Sequence, residues 1–371
     1  MYFEYVVVGA GFAGCTVAER IANVLNKKVL IIEKRNHIGG NAYDYYNEAG
    51  ILVHKYGPHI FHTNNKIVWD YLSNFTKWRL YQHKVLAYID GMYIPFPINL
   101  NTINILYNKS FSPEEVKLFL DNIKENKSEI LNSRDMGTTK IGEELYEKFF
   151  KWYTKKQWGV FPEDLSPEVT ARIPVRFNKD DRYFTDKYQG VPQHGYTKLF
   201  ENMLSSKNIR ILLNTDYKEI IDGIKFEKMI YTGPIDYFFD YKFGKLPYRS
   251  IKFEFETLEC EYYQSVATVN YPNDYDFTRI TEFKHITGQV HLKTTIVKEY
   301  PTSEGEPYYP IPHAENYEIY KLYENEAKKF DNIYFVGRLA NYKYYNMDKV
   351  VEEALKLFDK IKKDDKKGKV V

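Results

Sequence analysis

The chain is poor in cysteine, in long apolar runs and in excess charge. Two cysteines, Cys15 and Cys260, occur in 371 residues, too few for a disulfide framework or a cysteine-built zinc site. No apolar run approaches the ~18 residues that a membrane-crossing helix needs. Met1-Tyr-Phe-Glu4 leads straight into an apolar strand pattern, with no basic segment ahead of a hydrophobic one. No secretory leader is therefore expected, and the expected compartment is the reducing cytoplasm. Lys plus Arg number 52 and Asp plus Glu 50, so no global field selects nucleic acid or a membrane surface. A hydrophobic fraction of 44% with 27% charged residues excludes wholesale disorder. What the chain has in excess is aromatic residues, 17% of the total, with 35 tyrosines. Tyrosine offers a flat apolar face and a hydroxyl. A composition bias that raises Tyr, Lys, Ile and Asn together explains the excess equally well.

Tyr5-Val-Val-Val8 reads as a doubly buried parallel strand, and Cys15 to Leu25 as an amphipathic helix. Val29-Leu-Ile-Ile32 completes a βαβ unit. A helix is expected over 65–74 and short aromatic strands over 79–96. Ser112-Pro-Glu-Glu is a helix start, and the apolar stripe at 145, 149, 152 and 153 predicts one helix from Ile141 to Trp158. Tyr196 to Leu204 is helical, and 209–213 and 228–232 are short buried-type strands. Residues 248–299 alternate as antiparallel sheet with one wet face, Val266 to Asn270 included. A buried strand at 332–336 and a helix over 348–361 follow, with a frayed charged tail at 362–369. The expected fold class is α/β. A dinucleotide-binding domain is assembled from 1–78, 192–240 and 320–371. A helical domain spans 98–170, and an antiparallel sheet domain is built from 79–97, 171–191 and 241–319.

Gly9-Ala-Gly11-Phe12-Ala13-Gly14 sits between the first strand and its helix, and Glu33 ends the second strand. That is the arrangement that binds a dinucleotide. Gly9 allows the turn, Gly11 lets backbone N–H groups approach a pyrophosphate at the helix N-terminus, and Gly14 lets helix and sheet pack closely. Glu33 can accept from ribose hydroxyls. The fingerprint does not separate NAD from FAD, but Lys34, Arg35, Gly39, Gly40 and Asn41 suit a backbone lying against an extended cofactor and resemble the FAD-binding proteins of the glutathione reductase and amine oxidase type. Gly337-Arg338 offers a late segment for its far end. His54, His59 and His62 admit a metal reading, but no carboxylate or cysteine cluster supports it. No metal is expected, and cofactor packing or plain core histidines remain open. Arg172, Arg176, Arg249, Arg279 and Arg338 lie beside aromatic or apolar patterns, where guanidinium groups can hold phosphates or simply pair with acids. Phe149, Tyr153 and Trp158 form either core or a stacking platform. No protein nucleophile with a base partner can be assembled.

Taken together, Gly9–Gly14, Glu33-Lys-Arg-Asn-His-Ile-Gly-Gly-Asn41 and His54-Lys-Tyr-Gly-Pro-His-Ile-Phe-His-Thr63 resemble the UDP-galactopyranose mutase family. Thr154-Lys-Lys-Gln-Trp158, Arg172-Ile-Pro-Val-Arg-Phe177, Ile230–Asp236, Glu306-Pro-Tyr-Tyr-Pro310 and Gly337–Asp348 extend the match over nearly the whole chain. The resemblance implies an FAD-binding Rossmann-like domain with inserted helical and antiparallel sheet domains. It implies an isomerase that interconverts UDP-galactopyranose and UDP-galactofuranose through a covalent flavin N5–sugar adduct. The reaction has no net redox change, needs reduced FAD, and supplies galactofuranose for cell-surface polysaccharide. It also implies a homodimer acting on a UDP-sugar.

By position, the resemblance assigns catalysis to Arg172, Arg279, His59 and His62. A mobile loop carrying Arg172 closes over the substrate. Phe149, Tyr153, Trp158 and Asn270 line the uridine pocket, and Tyr183, Tyr309 and Tyr344 contact the diphosphate. Arg249 and His83 complete the substrate set. Gly9, Gly11, Phe12, Ala13, Gly14, Glu33, Lys34, Arg35, Gly40, Asn41, Arg338, Met347 and Asp348 hold FAD. His59 agrees with galactose-specific members. His83 stands where members usually carry asparagine. A UDP-N-acetylgalactosamine or a thymidine-linked deoxyhexose is therefore an alternative substrate, and an amine-oxidase-type flavoenzyme a more distant one.

Overall fold

The computed structural model describes residues 2–367 of the chain. Its centre is a five-stranded, all-parallel sheet. The strand order is Ile209–Leu212, Val29–Ile32, Tyr2–Val8, Lys225–Tyr231 and Ile333–Phe335. Val8 pairs with Ile32 on one side and Tyr231 on the other, so the three strands end level. The helix Phe12–Val24 leaves this edge at once and packs with the long helix Met347–Lys367 on one face. Val7, Val17, Ile21 and Phe358 lie in the core between them. The opposite face is closed by Tyr217, Tyr231 and their neighbours.

A seven-stranded sheet lies apart from it, in the order Tyr309–Pro310, Tyr248–Leu258, Thr294–Thr302, Arg279–Glu282, Thr268–Asn270, Val85–Ile89 and Met92–Phe96. It is antiparallel except where Thr268–Asn270 runs parallel to Val85–Ile89. Its central strands are covered on both faces, so Thr268, Val269 and Asn270 are all buried, not half wet as alternation suggests. A small sheet of Phe61–Thr63, Tyr188–Pro192 and Trp78–Leu80 lies between the two large ones in sequence.

The helical part folds on the Ser112 start. Ser112 accepts from the Glu115 N–H, and the Glu115 carboxylate accepts from the Ser112 N–H at 2.7 Å. The single helix expected over 141–158 is broken in two places. Gly142 takes φ 76° inside Ser133–Tyr146, where a Cβ would meet the Ile123 carbonyl oxygen at 2.3 Å. A wide turn at Glu147–Lys151 then precedes the helix Trp152–Trp158. Two strands expected to be buried are sheet edges: Ile209–Leu212, with Arg210 and Leu212 exposed, and Ile333–Phe335, which is half-buried. The final helix runs to Lys367, through most of the stretch expected to fray, and residues 368 and 369 lie outside the described residues. The helix Ala314–Ala327 carries no strong sequence signal and is held by buried Tyr320 and Tyr323. Among the described residues no helix is long and apolar enough to cross a membrane.

Candidate active site

At the carboxyl end of the parallel sheet lies a cavity of about 650 Å³. Gly9, Gly11, Phe12, Ala13, Glu33, Lys34, Arg35, Gly40, Asn41, His59, Arg249, Arg338 and Met347 line it, together with Tyr308. Two glycine turns face each other across its floor. A Cβ on Gly40 would stand 2.9 Å from the Gly11 Cα. Gly9 has φ 101°, and a Cβ there would meet the Thr232 hydroxyl at 2.2 Å. Gly14 lies beneath the turn, against the Gly9 carbonyl. Glu33 accepts the Ala10 N–H at 2.8 Å and the Arg35 N–H at 2.9 Å, one on each carboxylate oxygen. Each oxygen keeps lone-pair capacity toward the cavity. Backbone N–H groups, a bare glycine floor and a fixed carboxylate fit the pyrophosphate and ribose of a dinucleotide.

The Lys34 and Arg35 side chains point across the mouth. Glu306 Oε2 accepts from Arg35 Nε at 2.9 Å and from its Nη2 at 2.5 Å, and Lys34 lies 3.4 Å from Glu306 Oε1. Arg35 also donates to Asn41 at 3.0 Å. Asp348 does not line the cavity. Its carboxylate accepts the Thr63 hydroxyl at 2.8 Å and ties the last helix to the His59–Thr63 segment.

Beyond the cavity, one rung of the seven-stranded sheet sets Asn270, Arg279 and Glu299 side by side on successive strands. Arg279 Nε donates to Glu299 Oε2 at 3.0 Å, and Glu299 is buried. Burial pushes the Glu299 carboxyl up, and Arg279 pulls it back. Gly57 packs on this rung, with φ 80° and room for no more than 3.1 Å to Glu299 Oε1. That contact brings the histidine loop to the rung. The His59 ring Nδ1 lies 2.9 Å from the Gly57 carbonyl, so it donates there and leaves Nε2 as an acceptor. Burial lowers the His59 pKa to about 3, helped by His54, Arg338 and Arg279, so the ring is neutral. His62 meets Asp186 at 2.8 Å and stacks on Phe184.

Tyr344 gathers the arginines. The Arg172 guanidinium lies 4.5 Å from its ring centre and donates to its hydroxyl at 3.3 Å, and Arg338 lies 5.2 Å from the same ring. Burial raises the Tyr344 pKa, but Arg172, Arg338 and Arg279 outweigh it and hold the hydroxyl below its ordinary value. Trp158 and Tyr309 pack edge-on against Tyr344 and each other, at 5.0 to 5.4 Å. Tyr153 and Tyr183 lie within the field of Arg279. The Tyr183 N–H donates to the His83 carbonyl at 2.7 Å, and the two rings sit 5.7 Å apart. Burial lowers the His83 pKa to about 3.

Three expected contacts look different in space. Phe149 is 3% exposed and stacks on Phe96 in the core of the helical part. Arg249 donates to the carbonyls of Gln157 and Lys156 and caps the helix that carries Tyr153. Tyr309 spends its hydroxyl proton on the Gln157 carbonyl. Asp186 and Glu299 have no local signature, and Glu306 is marked in the sequence only within Glu306-Pro-Tyr-Tyr-Pro310; each meets its partner through chain-distant packing. Among the described residues no group of three His, Cys, Asp or Glu could hold a metal ion.

Comparison with known proteins shows the family and the fold. The family model for UDP-galactopyranose mutase matches residues 148–344, and one for an NAD(P)-binding Rossmann-like domain matches residues 7–75. The chain is 39% identical to a dTDP-fucopyranose mutase of Escherichia coli, over 95% of this chain and 96% of that one. It is 34% identical to a UDP-galactopyranose mutase of Mycoplasma genitalium, over 95% and 93%. A crystal structure of reduced UDP-galactopyranose mutase superposes with a TM-score of 0.79 at 17% identity, covering 97% of this chain and 94% of that one. The chain belongs to the UDP-galactopyranose mutase family, a family of flavin-dependent isomerases.

Proposed function

We propose that the chain interconverts UDP-galactopyranose and UDP-galactofuranose, holding FAD in the glycine-floored cavity and working with the flavin reduced. The observation that carries this reading is Arg338. It lines the cavity and lies over Tyr344, so the cofactor space and the arginine cluster are continuous. When bound and reduced, the flavin supplies the nucleophile for the anomeric carbon of the sugar.

The chain supplies the rest. Arg172 makes no carboxylate ion pair among the described residues and so keeps its charge for a diphosphate. Arg279 has its Nε on Glu299 and makes no other ion pair among the described residues. Together they stabilise the negative charge that grows on the departing UDP. Tyr183 and Tyr344 offer hydroxyls to the diphosphate. Tyr153 gives its face to uridine and Trp158, buried against Tyr309 and Tyr344, backs it, with Asn270 at the base of the adjoining hairpin. Neutral His59 offers Nε2 as a hydrogen-bond acceptor beside the flavin, and His62, steadied by Asp186 and Phe184, backs it. Met347 and Arg338 close the flavin end. The Arg172 segment, 171–182, closes over the sugar and keeps water out.

A thymidine-linked deoxyhexose is a second reading, favoured by the E. coli dTDP-fucopyranose mutase at 39% identity and by His83. One assay separates the readings. The purified protein is reduced with dithionite and incubated with UDP-galactofuranose, UDP-N-acetylgalactosamine and dTDP-fucopyranose, and the products are separated by chromatography. Pyranose–furanose conversion of the UDP-galactose pair in the reduced state alone is expected. Faster conversion of the thymidine-linked sugar selects the second reading. A flavin-loaded protein that converts none of them overturns both.

A further inference from the structure

Lys156 lies on the helix Trp152–Trp158, between Tyr153 and Trp158. Its ammonium donates to three backbone carbonyls: Tyr271 at 2.5 Å, Tyr275 at 2.7 Å and Phe277 at 3.2 Å. An ammonium has three N–H donors, so one loop saturates it. That loop joins the strand Thr268–Asn270 to Arg279–Glu282, and Asn270 and Arg279 are the paired residues at its base. The Tyr271 N–H donates to Thr278 at 2.8 Å and closes the hairpin. Three carbonyl dipoles aimed at one point repel unless a cation sits among them, so the shape of the loop depends on the ammonium. A second tie, Asn273 to the Lys148 carbonyl at 3.1 Å, joins the same loop to the turn before the helix. Burial brings the Lys156 pKa down to about 8 against the pull of Asp276 and Asp274, and the group is charged at neutral pH.

We propose that Lys156 is a positioning residue for the nucleotide end of the substrate, fixing the helix that carries Tyr153 and Trp158 against the hairpin that carries Asn270 and Arg279. The inference rests on the nucleotide-sugar reading above. Lys156 acts through the spacing of two walls and not by touching substrate. Its loss loosens the wall that grips the nucleotide and leaves the flavin cavity intact, since no residue of the 271–277 loop lines that cavity.

The test is UDP and dTDP titration of the flavin-loaded protein, with KM and kcat of the reduced enzyme. In Lys156→Met, nucleotide affinity is expected to fall on the order of tenfold or more, because three charge-assisted bonds are lost. KM rises with it, and kcat falls by less than KM rises, because the Glu299 pair holds Arg279 independently of the loop. The flavin spectrum and FAD content stay as in the wild type. Lys156→Arg keeps the charge and the donors and restores most of the affinity. A residue that served stability alone would lower the melting temperature without splitting KM from kcat, and Lys156→Arg would show no selective rescue. Lys156→Gln, uncharged with two N–H donors, gives the same reading if the methionine variant is insoluble. Nucleotide affinity within about twofold of wild type in the folded variant overturns the proposal and leaves the substrate reading standing. A wild-type protein that binds neither nucleotide overturns the substrate reading and the inference with it.

Discussion

Gly11→Ala separates the cofactor cradle from the stability of the fold. Gly11 has φ −85° and ψ −172°, an extended conformation that alanine adopts freely. The added methyl meets only the Gly40 Cα, at 3.7 Å, an ordinary contact. The flavin-free protein therefore has no reason to lose stability. Glycine-to-alanine changes at compatible positions shift folding by less than about 1 kcal/mol, here about 1–2 °C in melting temperature for a chain of this length. The same methyl stands in the cavity between the two glycine turns, where a pyrophosphate must approach the backbone. Losing one or two charge-assisted N–H bonds at about 1.5–3 kcal/mol each costs about 3 kcal/mol, roughly a hundredfold in affinity. The assay strips the flavin, records thermal unfolding, and titrates FAD by the quenching of its fluorescence. A variant that binds FAD within about twofold of wild type shows that the floor of this cavity is not a pyrophosphate cradle. A variant whose flavin-free form melts several degrees lower shows that the space around Gly11 has been misjudged.

The remaining expectations follow from the same geometry. Gly9→Ala forces an L side chain to φ 101° and into the Thr232 hydroxyl, so it should lower both the melting temperature and FAD occupancy, with a cost of about 2–3 kcal/mol. Arg172→Ala and Arg279→Ala should each remove most turnover while the flavin spectrum stays unchanged; near-normal kcat in either takes that arginine out of the reaction. His83→Asn should change the preference among hexoses more than the affinity for UDP, and an unchanged substrate profile refutes a role for His83 at the sugar. Burial lowers the pKa of His54 to about 4 and of His83 to about 3. Below about pH 6.5 the unfolded chain takes up protons that these buried rings refuse. Stability should be complete above that pH and fall toward pH 4, by about 1.4 kcal/mol per ring per pH unit. A melting temperature flat from pH 7 to pH 4.5 contradicts that account.

The sequence by itself determined the parts whose physics is local. Val29-Leu-Ile-Ile32 reads as a strand, Gly9–Gly14 as a turn into a helix, and Ser112-Pro-Glu-Glu as a helix start, because β-branched packing, positive φ and capping act over a few residues. The glycine-floored cavity was legible for that reason. The break at Gly142 was not, because the Ile123 carbonyl that leaves room only for glycine there belongs to another helix. The edge position of Ile209–Leu212 was hidden as well, since an apolar run does not say how many neighbours a strand will have. Only the tertiary structure decided which partner each arginine meets. Arg249 and Arg279 both sit beside strand patterns, yet one caps a helix and the other stands next to Asn270 and Glu299 on one sheet rung. Register across strands, not composition along one, sets the partner a guanidinium finds. Glu306 over Arg35, Asp186 under His62 and Lys156 within its loop were fixed the same way, by where chain-distant segments come to rest.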